Sequence, residues 1–327
     1  MPANLPPRYF AVEEEYRRAK TAQEKIELLE TMLAIMPKHK GTDHLKADLR
    51  AKIAKLQEEG ERKRGAVRSQ PYSVRKEGAG QVALIGPPNA GKSQLLGALT
   101  GASPKVGEYP FTTQQPFPAM MPVDNVQVQL VDLPPVAKDG TPGWVRSIAR
   151  QADLLLLVVS LSFDPLEEME VVLSELAQMR IEPIAEGEEG LTEEGFLRKL
   201  SLVAGNKADS PDARDNLELL EMELRGRLPV VPVSAATGAN LETLKRRTYA
   251  LLDVIRVYTR APGQDADRAH PFVLPAGSTV EDLAESIHKD VLRQMKYAVV
   301  WGSGKFSGQR VSRDYELADE DVVEIVT

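Results

Sequence analysis

Apolar positions change their spacing twice along this chain, and each change marks a new kind of structure. Over about residues 10–60 they recur at helical spacing. Ile26, Leu29 and Leu33 share one face of a charged stretch that opens at Glu13, Glu14 and Glu15 and runs to about Ile35. Pro37 and Gly41 break it, Thr42 or Asp43 can cap a second helix, and Leu45, Leu49, Ile53 and Leu56 form that helix's apolar face. The pattern predicts a helical hairpin joined by residues 36–41. From Gln81 onward, short apolar runs at 82–85, 126–131, 154–159, 202–204 and 230–233 alternate with helical segments at 92–100, 144–151, 166–179, 213–226 and 240–254. Strands alternating with helices predict βαβ units around a mostly parallel sheet. Residues 181–195, with Glu182, Glu186, Glu188 and Glu189, read as an acidic surface excursion, and 261–268 as a linker. The last segment reads as strand 271–274, turn 275–277, helix 280–288 and short strands at 297–301 and 322–326, a small α+β module. The expected fold class is therefore α/β, with domain boundaries at 1–76, 77–260 and 269–327.

Length and composition narrow the function classes. At 327 residues the chain is too long for one core. With no cysteine it has no disulfide, thiolate zinc site, iron–sulfur cluster or cysteine nucleophile. Its longest apolar run, 154–159, is far short of the about 20 residues a bilayer span needs. Residues 1–18 lack the charged-then-apolar order of a signal peptide, so a cytoplasmic protein with no membrane span is expected. Net charge is −7, unevenly spread. Residues 1–80 carry 17 Lys and Arg against 12 Asp and Glu, a net of +5, which leaves −12 for the rest. Much of that excess lies in Arg62, Lys63, Arg64, Arg68, Arg75 and Lys76, which face a single acid, Glu61. This basic arm reads either as a charged linker or as a contact for a polyanion.

Three short motifs carry candidate chemistry. Gly86-Pro-Pro-Asn-Ala-Gly91-Lys92-Ser93 fits G-x-x-x-x-G-K-[ST] between a predicted strand and a predicted helix. A glycine turn before an ordinary helix is the plainer reading, but the whole strand–glycine–Lys-Ser–helix order favours a phosphate cradle. Gly86, Asn89, Ala90, Gly91, Lys92, Ser93 and Gln94 are its candidate nucleotide-binding positions. Backbone N–H groups there curl around phosphate oxygens, Lys92 reaches the β/γ-phosphates and Ser93 ligates Mg²⁺. Forty residues on, Asp132 ends an apolar strand where it can serve the same metal. Asn206-Lys207-Ala208-Asp209 follows a third strand and Ser234-Ala235-Ala236 a fourth. An Asp209 carboxylate accepts both guanine N1–H and the exocyclic amine, a donor pair adenine lacks, while a backbone N–H at 234–236 can meet guanine O6. In this order the motifs favour a guanine over an adenine nucleotide. The alternative for Asp209 alone is a solvated loop acid.

These elements resemble the translation-factor-related GTPases, and the finer texture resembles the Obg and developmentally regulated GTP-binding (DRG) branch. Tyr109-Pro-Phe-Thr-Thr113 looks like its switch I. His39-Lys-Gly-Thr-Asp-His-Leu and Lys52-Ile-Ala-Lys-Leu56 resemble the hairpin before the DRG GTPase domain. The segment 271–327, with Ser312-Arg-Asp-Tyr-Glu-Leu-Ala-Asp-Glu-Asp-Val-Val-Glu-Ile-Val, looks like a TGS domain, a β-grasp module. The resemblance covers nearly the whole chain, although most of the extra α/β insert of DRG proteins after switch II has no room between Asp132 and Asp153. It implies a P-loop GTPase domain with an N-terminal helical hairpin and a C-terminal TGS domain. It further implies hydrolysis of GTP to GDP, with Lys92, Thr113 and Asn89 as catalytic residues. Mg²⁺ falls to Ser93, Thr113 and Asp132, with Thr112 the alternative to Thr113, and K⁺ to Asn89, which otherwise reads as a polar turn residue. The implied partners are the ribosome or RNA and an accessory protein able to supply a missing catalytic group.

The chain departs from the family at switch II. Where Asp-x-x-Gly is usual, it reads Asp132-Leu-Pro134-Pro135. Proline has no N–H to offer the γ-phosphate, and one donor lost to a charged oxygen costs about 1.5–3 kcal/mol. Val136 stands where Ras-like enzymes place a water-orienting glutamine. A nucleotide-binding scaffold with negligible turnover is therefore the competing reading. Glu167, Glu168 and Glu170 read as a solvated helix face, and the four histidines do not cluster at ligand spacing. Trp301-Gly-Ser-Gly304-Lys305 reads as a β-turn, although its composition also suits a phosphate.

Overall fold

A computed structural model describes residues 72–102, 115–137, 141–187, 189–261 and 264–327, with scattered positions before residue 72. The chain divides into two compact units, Met1–Pro71 and Tyr72–Thr327. In the first, the described positions Lys25, Leu28, Leu29, Met32, Leu33 and Leu49 are helical, with Leu29, Met32 and Leu49 buried. The turn of the expected hairpin and the arm residues Arg62, Lys63, Arg64 and Arg68 lie outside the described residues. So do Thr112 and Thr113.

The second unit contains an eight-stranded sheet. Its strands are β1 (Gln81–Ile85), β2 (Phe117–Val123), β3 (Val126–Asp132), β4 (Leu154–Ser160), β5 (Ile181–Ile184), β6 (Gly190–Leu191), β7 (Leu197–Asn206) and β8 (Val230–Pro232). They pair in the order β2-β3-β1-β4-β7-β5, with β6 and β8 also on β7. All pairs are parallel except β2 with β3 and β6 with β7. The helices are α1 (Lys92–Thr100), α2 (Gly143–Gln151), α3 (Pro165–Gln178), α4 (Ala213–Glu223) and α5 (Leu241–Ala250).

Continuous apolar strands dictate the layers. Every residue of β1 and β4 is buried, and successive side chains leave a strand on opposite faces, so both faces need cover. Ala83, Ile85, Leu155 and Leu157 pack with Val145 and Ile148 of α2, Val172 of α3 and Leu220 of α4. Val82, Leu84, Leu154 and Leu156 pack with Leu95 and Leu99 of α1 and Leu244 of α5. The result is a three-layer α/β/α domain with the ends of β1, β3, β7 and β8 along one edge. Ligands of such sheets bind outside the carboxyl ends of the strands.

Two expectations need correction. Residues 181–195 are not a plain excursion: β5 and β6 pair with the first four residues of β7, and Glu189 holds the buried Lys199 ammonium at 3.0 Å. Strand β9 (Val254–Thr259) lies in the span assigned to the GTPase domain, yet it pairs with the C-terminal strands. Ile255 and Val257 alternate into that module's core, which local reading cannot see because partner β13 lies about 65 residues later. With β10 (Phe272–Pro275), β11 (Tyr297–Trp301), β12 (Gln309–Val311) and β13 (Val322–Val326) it forms a five-stranded sheet in the order β10-β9-β13-β11-β12. Two helices, α6 (Val280–Ile287) and α7 (Lys289–Gln294), accompany it, and α6 starts on a capping box between Thr279 and Asp282.

The two sheets meet at the β2–β3 turn. Asn125 Nδ2 donates to Tyr258 Oη at 2.8 Å and to the Arg268 carbonyl at 3.1 Å. Arg256 forks onto Asp319 with bonds of 3.1 and 2.7 Å and lies 3.8 Å from Asp124. Among the described residues no helix is long and apolar enough to cross a membrane.

Candidate nucleotide-binding site

Strand β1 ends at Ile85 and the chain turns through Gly86–Gly91 into α1. Two glycines are obligatory there for different reasons. A Cβ on Gly86 would lie 2.1 Å from the Val158 carbonyl oxygen of the neighbouring strand. Gly91 caps α1 with φ +89°, and a Cβ there would lie 2.3 Å from Asn206 Nδ2. No side chain caps α1 and no acid sits in its first turn, which leaves the positive end of the helix for an anion.

Lys92 is buried, and burial pulls its pKa down to about 8 against the opposing pull of Asp132 and Glu168. Its Nζ donates to the carbonyls of Gly86 (2.9 Å) and Pro87 (3.0 Å), so the ammonium is aimed along the loop before any phosphate arrives. Ser93 Oγ donates to Asp132 Oδ2 at 2.5 Å. The strand-end acid and the P-loop hydroxyl, 39 positions apart, are thus brought together. They are hard oxygen donors, the chemistry Mg²⁺ takes. Asn89 is exposed at φ +63°, with an amide oxygen of the kind an alkali cation accepts.

The base side is tied to the phosphate side through Asn206. This fully buried amide donates from Nδ2 to the Ala90 carbonyl at 2.9 Å, and its Oδ1 accepts the Ala235 N–H at 3.1 Å. One side chain therefore fastens the P-loop to the loop after β8. Asp209 accepts from Ser234 Oγ at 2.5 Å, which holds its carboxyl below the usual range, and the same hydroxyl accepts the Thr237 N–H at 3.1 Å. Lys207, at φ +62°, lies 5.6 Å from the centre of the exposed Phe163 ring. Ala236 belongs to the same turn as Ser234 and Ala235.

Residues 81–186 match the family described as 50S ribosome-binding GTPase, and residues 255–327 match the TGS domain. Over 94% of this chain and 99% of its own length, developmentally-regulated G-protein 3 of Arabidopsis thaliana is 31% identical. An uncharacterised GTP-binding protein of Methanocaldococcus jannaschii is also 31% identical, over 93% of this chain and 92% of its own. The chain belongs to the developmentally regulated GTP-binding protein family. Developmentally-regulated GTP-binding protein 1 of Xenopus laevis, 29% identical over 93% and 98%, extends the likeness to animals.

The DRG chain differs from the sequence reading at two side chains near the nucleotide site. Glu168 does not join Glu167 and Glu170 on a solvated face. It turns inward and accepts the Ser160 N–H at 2.7 Å, and burial raises its pKa while Lys207 and Lys92 oppose the rise. A Glu three residues into a helix that follows a strand is the only trace of this in the sequence. Val136 is fully buried beside Trp144 and Val145, and its N–H donates to the Gly86 carbonyl at 3.1 Å. In this DRG protein the residue after Pro135 is part of the core.

Proposed function

We propose that this protein is a slow GTPase that acts as a ribosome- or RNA-associated switch in the cytoplasm. Most support comes from Asn206, which couples a phosphate cradle to the loop after β8, whose Ser234 hydroxyl holds the Asp209 carboxylate. Phosphoryl transfer to water in such a site rests on positioning and electrostatic stabilisation. Gly86, Asn89, Ala90, Gly91, Lys92, Ser93 and Gln94 line the phosphates, and Asn206, Lys207, Asp209, Ser234, Ala235 and Ala236 hold the base. The proposed catalytic residues are Lys92, Thr113 and Asn89. Ser93, Asp132 and Thr113 would hold Mg²⁺, which supplies neutralisation of the β/γ-phosphate charge. The ribosome or RNA as partner is supported by the description of the matching GTPase family and by the +5 charge of residues 1–80. Co-sedimentation with ribosomes in the GTP, GDP and nucleotide-free states tests this reading. Equal sedimentation in all three, or none in any, removes the switch.

Potassium enters through Asn89. Hydrolysis is expected to be faster in KCl than in NaCl at equal ionic strength, and Asn89→Ala should erase the difference. Equal single-turnover rates of the wild type in both salts would count against a K⁺ site.

One observation favours a competing reading, a nucleotide-binding scaffold with negligible turnover. Pro135 has no N–H, and the N–H of Val136 is committed to Gly86 O. Two successive switch II positions thus offer the γ-phosphate no donor. GTP and GDP affinities are expected to differ by less than about tenfold, because 1.4 kcal/mol is a factor of ten. Pro135→Gly should widen the gap. Calorimetry with GTP, GDP and a non-hydrolysable analogue reads this, and a wild-type preference for GTP of orders of magnitude would place the sensing elsewhere.

A further inference from the structure

The switch II stretch is anchored on both sides. Upstream, Leu133, Pro134 and Val136 are buried, and the Val136 N–H donates to the Gly86 carbonyl of the P-loop at 3.1 Å. Pro134 and Pro135 fix φ at two successive positions, so this half has little backbone freedom. Downstream, Thr141 Oγ1 donates to Glu175 Oε2 at 2.7 Å, just before α2 begins. Pro142 is the N-cap of α2, and its carbonyl accepts the Val145 N–H at 2.9 Å. Trp144, in the first turn of α2, is buried and meets the Tyr72 ring in a T-shaped contact with centroids 4.9 Å apart.

Glu175 is the unusual member of this set. It lies on α3 and is 2% exposed, although a carboxylate is almost never buried without partners. Its Oε2 takes the Thr141 hydroxyl, and its Oε1 accepts from Gln178 Nε2 at 2.9 Å. Both donors are neutral. The packing of α3 does not call for an acid here, because Met169, Val172 and Leu176 already fill its core face at helical spacing. The buried carboxylate meets the chain where it leaves switch II, and no step of the proposed hydrolysis uses it.

We propose that Glu175 is a positioning residue which, together with the Gly86 carbonyl, holds residues 133–136 and 141–145 in one conformation whichever guanine nucleotide is bound. A ligand shifts an equilibrium only by its differential contacts with the two states. The γ-phosphate meets no N–H at Pro135 and one already committed at Val136, so it has nothing here to pull on. A partner that tells GTP from GDP must then read switch I, residues 109–113, rather than α2. The inference rests on the nucleotide site proposed above, but the first part of its test needs no nucleotide.

Hydrogen exchange of the Val136 and Val145 amides is followed in the full chain by mass spectrometry with electron-transfer fragmentation. Both amides are bonded, so each exchanges only when its anchor opens. In the nucleotide-free protein, Thr141→Val should speed Val145 exchange by between about tenfold and about a hundredfold, the loss of a bond to a charged acceptor. Thr141→Ser should restore the wild-type rate, and Glu175→Leu, which removes the acceptor, should match Thr141→Val. Unchanged Val145 exchange in Thr141→Val overturns the proposal. In the wild type, both amides should exchange at the same rate with GDP as with a non-hydrolysable GTP analogue. A tenfold difference at either amide overturns it. The affinity ratio of GTP to GDP gives a readout that a merely structural bond would not move. Thr141→Val alone should leave that ratio unchanged. Combined with Pro135→Gly, which supplies a donor, it should widen the ratio about twofold or more beyond Pro135→Gly alone. Equal ratios with and without Thr141→Val in the Pro135→Gly background overturn the positioning role. A wild type that binds neither nucleotide removes the nucleotide-site reading and this role with it. Nucleotide binding with state-dependent exchange at Val136 or Val145 removes this inference alone.

Discussion

Asp209→Asn should turn a guanine site into a xanthine site. In the proposed site the wild-type carboxylate would accept from both N1–H and the exocyclic amine of guanine. An amide keeps one acceptor and points a donor at the amine. Two charge-assisted bonds at about 1.5–3 kcal/mol each are affected, so GTP affinity should fall by about 10²–10⁴-fold. Xanthine carries a carbonyl where guanine has its amine, so the new amide can donate to it, and XTP should bind more tightly than GTP. Folding should survive, because the Ser234 hydroxyl that holds Asp209 at 2.5 Å can donate equally to an amide oxygen. Competition calorimetry with GTP, XTP and ATP measures the exchange. Wild-type GTP affinity in the variant would mean that another group reads the base.

That motif was legible because its chemistry is local. Gly86–Ser93 and Asn206–Asp209 each place their working groups within eight residues, and the strands before them announce themselves by apolar runs, buried throughout in β1 and over the last six residues of β7. Asp132 was legible by position, since an acid at the end of an apolar strand falls at the carboxyl edge of a parallel sheet. What depended on distant pairing was not. Strand β9 shows an alternating pattern, but nothing nearby says that it joins β13 rather than β8. The inward turn of Glu168 depends on the Ser160 N–H, which donates to its carboxylate at the end of β4. Val136 read as a missing catalytic side chain, whereas its burial and its bond to Gly86 make it a structural anchor of the P-loop. The candidate site was therefore visible as a set of motifs, and the bonds that lock one motif to another were not.

The sharpest test of that locking is a double-mutant cycle between Gly91 and Asn206. Asn206→Ala removes the donor to Ala90 O and the acceptor for Ala235 N, leaving one buried and one partly buried backbone group without its partner. At about 1–3 kcal/mol each, the expected loss of stability is about 2–6 kcal/mol, with a fall in guanine-nucleotide affinity because both loops lose their common tether. Gly91→Ala acts at the same place from the other side. Its methyl would enter 2.3 Å from Asn206 Nδ2, so the amide must leave Ala90, and φ +89° adds backbone strain of about 1–2 kcal/mol. In the Asn206→Ala background the amide is already gone, and only the strain remains. The double variant should therefore be more stable than the sum of the single losses predicts, by about 1–3 kcal/mol. Urea unfolding of the four nucleotide-free proteins gives the cycle, and nucleotide titration of the same four gives its functional counterpart. Strict additivity would show that Gly91 is required for its backbone angle alone and that the P-loop does not depend on Asn206 for its shape.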